Sequence, residues 1–190
     1  MPFNRKVAGV DEVGRGCIAG PVVAAAVIFK KNINTKSIRD SKKISFKERL
    51  EISDYIKKNS FYGIGISSVR EIFQLNILRA SLLAMKRAIL NLSIKPNLVL
   101  IDGVFAPEGL MNFKTIVKGD EKIKVISAAS IVAKSYRDLL MIRMSKKFSG
   151  YHWNKNFGYG TKQHLVSLKK RGITKLHRKK FRPVHKMLLK

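Results

Sequence analysis

The chain has 190 residues, 45% of them hydrophobic, which suits a single domain with a sizeable core. Its 39 basic and 12 acidic residues give a formal net charge of +27, an excess that favours a polyanion as partner. No apolar run reaches the roughly 18 residues needed to span a bilayer, no secretory signal opens the chain, and the single Cys17 excludes an internal disulfide and a cysteine-built zinc site, so a cytoplasmic protein is expected.

Val7 to Val10 is a short apolar run that ends in Asp11-Glu12, and Pro21 to Phe29 is a second run rich in β-branched residues. The turn chemistry of the intervening residues predicts two strands of a hairpin-like unit. Phe61 to Ser68 alternates as a third strand. Leu75, Leu78, Leu82, Met85 and Ile89 recur at helical spacing and predict one helix over Ile72 to Leu92. Asn97 to Ile101 is another strand, closed by Asp102-Gly103, and Thr115 to Val117 is a brief extended stretch before Lys118-Gly119-Asp120. A long helix is predicted from Val125 to Gly150. A Gly- and aromatic-rich loop follows to Gly160, and Thr161 then caps a short helix. The order of elements predicts an α/β or α+β domain with a mixed sheet.

The last acid in the chain is Asp138; the 52 residues after it hold fifteen Lys or Arg and no Asp or Glu. So one-sided a block predicts a phosphate-binding surface. With acids so scarce, those in apolar company stand out: Asp11 and Glu12 end one strand, Asp102 ends another, and Asp120 follows a third. Adjacent strand residues point to opposite faces, so Asp11 and Glu12 share a site only where the strand frays or at its edge. Carboxylates that converge repel one another, and a hard divalent cation relieves that repulsion. Each segment also has an ordinary reading: Asp-Gly after a strand is commonly only a turn, and Lys118-Gly119-Asp120 is ordinary loop chemistry.

The run from Gly9 to Val22, GVDEVGRGCIAGPV, closely resembles the opening motif of ribonuclease HII, the type 2 ribonuclease H family. Further matches follow in order: Asp40-Ser41-Lys42-Lys43, Leu75 to Ala80, Ile101-Asp102-Gly103, Lys118-Gly119-Asp120, Ser127 to Lys134, Arg137-Asp138, Gly158 to Lys162 and His177-Arg178. The resemblance implies a ribonuclease H-like fold: a central five-stranded mixed sheet flanked by helices, with a C-terminal helical extension. Residues 1–150 would form the catalytic domain, with 151–190 a basic extension packed on it. It implies divalent-metal hydrolysis of the RNA strand of RNA–DNA hybrids, and of single ribonucleotides embedded in DNA, leaving 5′-phosphates.

By the same resemblance Asp11, Glu12, Asp102 and Asp120 would hold Mn²⁺ or Mg²⁺. Gly14, Arg15 and Gly16 would read the ribonucleotide, and Tyr159 would stack on the sugar beside the RNA–DNA junction. Glycine suits a backbone that must approach a 2′-hydroxyl closely. Asp138, next to Arg137 and Tyr136, reads as a surface or intrahelical pair outside the site. Lys42 and Lys43 are either phosphate contacts or solvated. His152, His164, His177 and His185 lack metal-ligand spacing, and surface or core roles suit them better than proton transfer.

Glu121 and Lys180 depart from the family pattern, and no substrate-binding extension ahead of Val7 argues for the related type 3 enzymes. A monomer suffices. A non-catalytic RNA-binding protein would need only the basic surface and not the four carboxylates. Another nuclease or recombinase on the same fold would not need the Gly14-Arg15-Gly16 loop.

Overall fold

The computed structural model describes residues 6–31, 33–39, 41 and 44–189. Asp40, Lys42 and Lys43, singled out above, lie outside the described residues. Five strands, β1 (Val7–Val13), β2 (Val22–Phe29), β3 (Ser60–Ser67), β4 (Leu98–Asp102) and β5 (Phe113–Ile116), form one sheet in the order β3-β2-β1-β4-β5. β1 runs antiparallel to β2 and parallel to β4, β2 is antiparallel to β3, and β4 is parallel to β5. The sheet is therefore mixed, as expected. Among the described residues no helix is long and apolar enough to cross a membrane.

The interior strands are apolar on both faces because both faces are covered. Ala24, Ala26 and Ile28 of β2 pack with Ala80, Ala84 and Ala88 of α3 (Ile77–Leu90). Ala25 and Val27 face Ile52 and Ile56 of α1 (Phe46–Lys58) and Ala128, Ala129 and Val132 of α5 (Lys124–Lys147). Small residues bring the helices close to the strands. A Cβ on Gly65 would stand 2.0 Å from the Ala84 carbonyl oxygen, and one on Gly9 would stand 2.3 Å from the Val125 carbonyl carbon.

One helical expectation needs correction, and one helix was not foreseen. The single helix over Ile72 to Leu92 is two, α2 (Val69–Leu75) and α3, separated by Asn76 at a φ of 70°. Asn76 caps α3 by accepting the Arg79 N–H at 3.1 Å, and apolar spacing does not register such a break. Arg87 of α3 ties the pieces together, pairing with Glu71 of α2 at 2.6 Å and donating to the Ile66 carbonyl at 2.6 Å. Helix α1 carries no apolar stripe that would announce it. Its buried face is Arg49, Ile52, Ser53 and Ile56, at helical spacing but half polar.

Arg49 explains that polar face. Its guanidinium pairs with Asp138 of α5 at 2.9 Å, and it also donates to the Ser41 and Ile44 carbonyls. Lys134 reaches the other Asp138 oxygen at 2.9 Å, one helical turn away. Asp138 does have an intrahelical partner, but it is wholly buried, not on the surface. The rest of the chain folds onto α5 and the segment after β1. Tyr151, Trp153, Leu168 of α7 (Lys162–Arg171) and Val184 of α8 (Arg182–His185) pack with Ile18, Ala19 and Met141. The loop between α5 and α7 contains a one-turn helix, α6 (Trp153–Asn156).

Removing one partner of a buried ion pair leaves the other charge without compensation. We expect Asp138→Asn, which keeps the shape and deletes the charge, to lower the unfolding free energy by about 3–5 kcal/mol in urea titrations.

Candidate active site

The parallel register of β1 and β4 runs from Val7↔Leu98 to Val10↔Ile101, so Asp11 and Asp102 occupy the next rung of adjacent strands. Residues two apart share a face, and Leu100 lies with Val7 on the α5 side of the sheet. Asp11 and Asp102 therefore project to that same side. Glu12 points to the other face, where Ala8 and Val10 lie. The problem posed by adjacent strand residues is solved by unequal strand lengths. β1 continues along β2 to Val13↔Val23, while its pairing with β4 stops at Val10, leaving Glu12 on an open edge.

Backbone donors hold the carboxylates. The Glu12 N–H donates to Asp11 Oδ1 at 2.7 Å, and the Gly119 N–H donates to Asp102 Oδ1 at 2.7 Å. Gly119 opens the one-turn helix α4 (Gly119–Lys122), and a Cβ there would lie 2.6 Å from Ile126 Cδ1, which would have to shift. Asp120 follows it, buried, with its carbonyl accepting from the Ser127 hydroxyl at 2.5 Å. Burial first, then the Glu12 and Asp102 charges, push the Asp11 pKa well above the ordinary carboxylate value, against hydrogen bonds from Ser130 and the Glu12 N–H. Burial also raises Glu12; Arg15 opposes the shift and Asp102 adds to it. The three acids thus sense one another's charge. Among the described residues, no group of three or more His, Cys, Asp or Glu stands arranged to hold a metal ion.

The segment after β1 is held from behind by two buried arginines. Gly14 has a φ of 96°, and a Cβ there would lie 2.2 Å from Arg137 Nε. Arg137, wholly buried, donates to the Pro21, Phe157 and Ala19 carbonyls at 2.9, 2.8 and 3.1 Å. Arg178 donates to the Arg15 and Gly20 carbonyls, each at 2.9 Å, and burial lowers its pKa to about 10. The opposite side is open. No heavy atom lies within 4 Å of where a Gly16 Cβ would be, and the half-exposed Arg15 side chain meets Glu12 at 3.4 Å.

Tyr159 stands beside this segment. The Gly158 carbonyl accepts from the Ile18 and Ala19 N–H groups at 2.9 and 3.2 Å, and burial next to Cys17 raises the phenol pKa. The residue remains 38% exposed, and the Lys134 ammonium sits 5.4 Å from the ring centroid. Sequence reasoning missed Arg137, Arg178 and Lys134 as supports. In a stretch so rich in Lys and Arg, a buried cation carries no distinguishing local signal.

Residues 8–186 match the family model of ribonuclease HII. The chain belongs to the ribonuclease HII family. It is an endoribonuclease of RNA–DNA hybrids. Ribonuclease HII of Pelagibacter ubique (strain HTCC1062) is 55% identical over 184 residues, 96% of this chain and 98% of that protein. Ribonuclease HII of Roseobacter denitrificans is 47% identical over 97% of this chain and 93% of its own length. The crystal structure of ribonuclease H2 from Pyrococcus horikoshii OT3 superimposes with a TM-score of 0.78 at 25% identity, covering 96% of each chain. The Archaeoglobus fulgidus RNase HII, solved as a complex with PCNA, shares the fold at a TM-score of 0.73 and 23% identity, covering 93% of this chain and 95% of that one. The ribonuclease H-like fold expected from the motifs is thus the fold observed.

A raised carboxylate pKa means that the folded ribonuclease HII binds the proton more tightly than the unfolded chain does. Asp11 therefore costs stability above its unfolded pKa of about 4, and the cost grows until the pH passes its folded value. In metal-free protein we expect Asp11→Asn to raise the melting temperature at neutral pH, with the gain vanishing as the pH falls toward 4. Calorimetry of both proteins across that range checks the sign.

Proposed function

We propose that this ribonuclease HII cuts on the 5′ side of a ribonucleotide, in RNA–DNA hybrids and at single ribonucleotides embedded in duplex DNA, leaving 5′-phosphate products. Asp11, Glu12, Asp102 and Asp120 would hold Mg²⁺ or Mn²⁺. The observation that carries this reading is the Asp11 carboxyl, buried and repelled by Glu12 and Asp102, for which a hard cation is the natural counter-charge. The donor set is all oxygen, as such cations prefer. Bst-RNase HIII, which shares the fold at 17% identity and a TM-score of 0.75, has been solved in complex with Mn²⁺.

A divalent ion held by these carboxylates would supply Lewis acidity, lowering the pKa of a water and offsetting charge on a leaving oxygen. The protein's own part is to fix where that happens. Gly14 and Gly16 let the backbone approach a 2′-hydroxyl, which DNA lacks, with Arg137 and Arg178 holding the segment from behind. Arg15, paired only at 3.4 Å and half exposed, is free to turn to a phosphate. Tyr159 offers its exposed face to the sugar at the junction. The acid-free residues 151–190 serve as a basic extension that grips the duplex backbone. RNA binding without chemistry would require none of the buried carboxylates.

With Mg²⁺ or Mn²⁺ the purified protein is expected to cut a DNA duplex carrying one ribonucleotide, on the ribonucleotide's 5′ side. Binding without cleavage under either ion would overturn the metal reading. Asp11→Asn should lower the cleavage rate by about a thousandfold or more while hybrid binding is retained. Chelation of divalent ions should abolish wild-type cleavage and leave the fold intact by circular dichroism.

A further inference from the structure

His164 and His177 lie outside the carboxylate cluster, wholly buried, against the stacked Tyr151 and Trp153 rings. Each of their ring nitrogens faces a partner, and the partners dictate which nitrogen carries the proton. The Tyr159 carbonyl can only accept, so His164 Nδ1, 2.7 Å away, is protonated. The Trp153 indole N–H can only donate, at 3.0 Å, so His164 Nε2 is the acceptor. The Thr174 N–H donates to His177 Nδ1 at 2.9 Å, which places the His177 proton on Nε2. That Nε2–H points at His164 Nε2, 3.1 Å away, and shares that nitrogen's single lone pair with the Trp153 N–H. The result is one directed chain of hydrogen bonds through two neutral imidazoles, from the Thr174 amide to the Tyr159 carbonyl.

The two ends of this chain hold the two parts of the site that read substrate. His177 bridges to Ala19, and its neighbour Arg178 donates from its amide to Ile18 and from its side chain to the Arg15 and Gly20 carbonyls. His164 holds the peptide of Tyr159. We propose that His164 and His177 are positioning residues, setting the Tyr159 ring in register with the Gly14–Gly16 segment through this directed hydrogen-bond chain. The chain works only while both rings are neutral, and the surroundings keep them so. Burial lowers both pKa values, that of His177 to about 4. The sequence holds no acid after Asp138 to stabilise an imidazolium from the same region. This inference rests on the reading of Tyr159 as a substrate contact.

Long-range ¹⁵N–¹H correlation spectra of the full chain at neutral pH are expected to show His164 protonated on Nδ1 and His177 on Nε2. The opposite tautomer at either ring, or a charged ring, overturns the proposal. Steady-state cleavage of an RNA–DNA hybrid supplies the second test. In His164→Asn the amide nitrogen can replace Nδ1 and still hold the Tyr159 carbonyl, whereas His164→Gln puts its amide at the Nε2 position instead. We expect KM to rise by about tenfold in His164→Gln with kcat nearly unchanged, and by a smaller factor in His164→Asn, which keeps the Tyr159 bond but leaves the His177 Nε2–H without its acceptor. Equal losses in both variants would assign a packing role, and the reverse order would assign the wrong partner; either overturns the proposal. Tyr159→Ala separates the two levels. If Tyr159→Ala raises KM and His164→Gln does not, the histidine chain is wrong and the Tyr159 reading stands. If Tyr159→Ala leaves KM unchanged, the Tyr159 reading itself fails, and the positioning role with it.

Discussion

The central strand of the sheet imposes the constraint on which the site depends. β1 is paired on both sides, and its parallel register with β4 sets Asp11 beside Asp102 on one face. Neither strand can shift by one residue without turning its apolar residues out of the core, so the two acids are held together by packing that has nothing to do with chemistry. Asp11 is buried and crowded by like charge as a result. Such a carboxyl weakens the fold that contains it, and its presence is intelligible only if something positive joins it.

Beside the crowded acids, directed hydrogen bonds to backbone carbonyls stiffen the chain that follows β1. Arg137 and Arg178 together occupy five carbonyl groups, those of Arg15, Ala19, Gly20 and Pro21 behind the Gly14–Gly16 segment and of Phe157 in the Tyr159 loop. Guanidinium suits this work because its planar fork offers several fixed donors at once. A segment built on Gly14 and Gly16 cannot stiffen itself with side chains, so its stiffness comes from behind. The basic character of the C-terminal stretch thus has two components: solvated cations on the outside, and a few buried ones that shape the site.

Much of this was legible in the residues. The strands announced themselves as β-branched or alternating runs, and the GVDEVGRG motif with its partners pointed to the family and to the acids of the site. What stayed hidden was polar structure in apolar places. Helix α1 turns Arg49 and Ser53 inward and so lacks the stripe that marks an amphipathic helix. The break at Asn76 depends on a positive φ that asparagine tolerates and apolar periodicity does not record. Asp138 looked like a surface acid because its decisive partner, Arg49, is 89 residues away in sequence. His164 and His177 meet only because the last segment folds back over the first loop.

Helix α5 meets several parts of the site along one stripe. Ser127 holds the Asp120 carbonyl, Ser130 bonds Asp11, Lys134 lies by the Tyr159 ring, Arg137 backs Gly14, and Met141 packs under Gly20 and Gly158. Their spacing of three and four residues is that of a single helix face. The helix therefore acts as a ruler. From Ser127 to Arg137 the chain rises about 15 Å, and that rise sets the separation between the Asp11 carboxylate and the Gly14 turn that the stripe supports. Loops elsewhere can lengthen or shorten, but one residue gained or lost within this span would rotate half of the stripe by about 100° and part the two ends it holds.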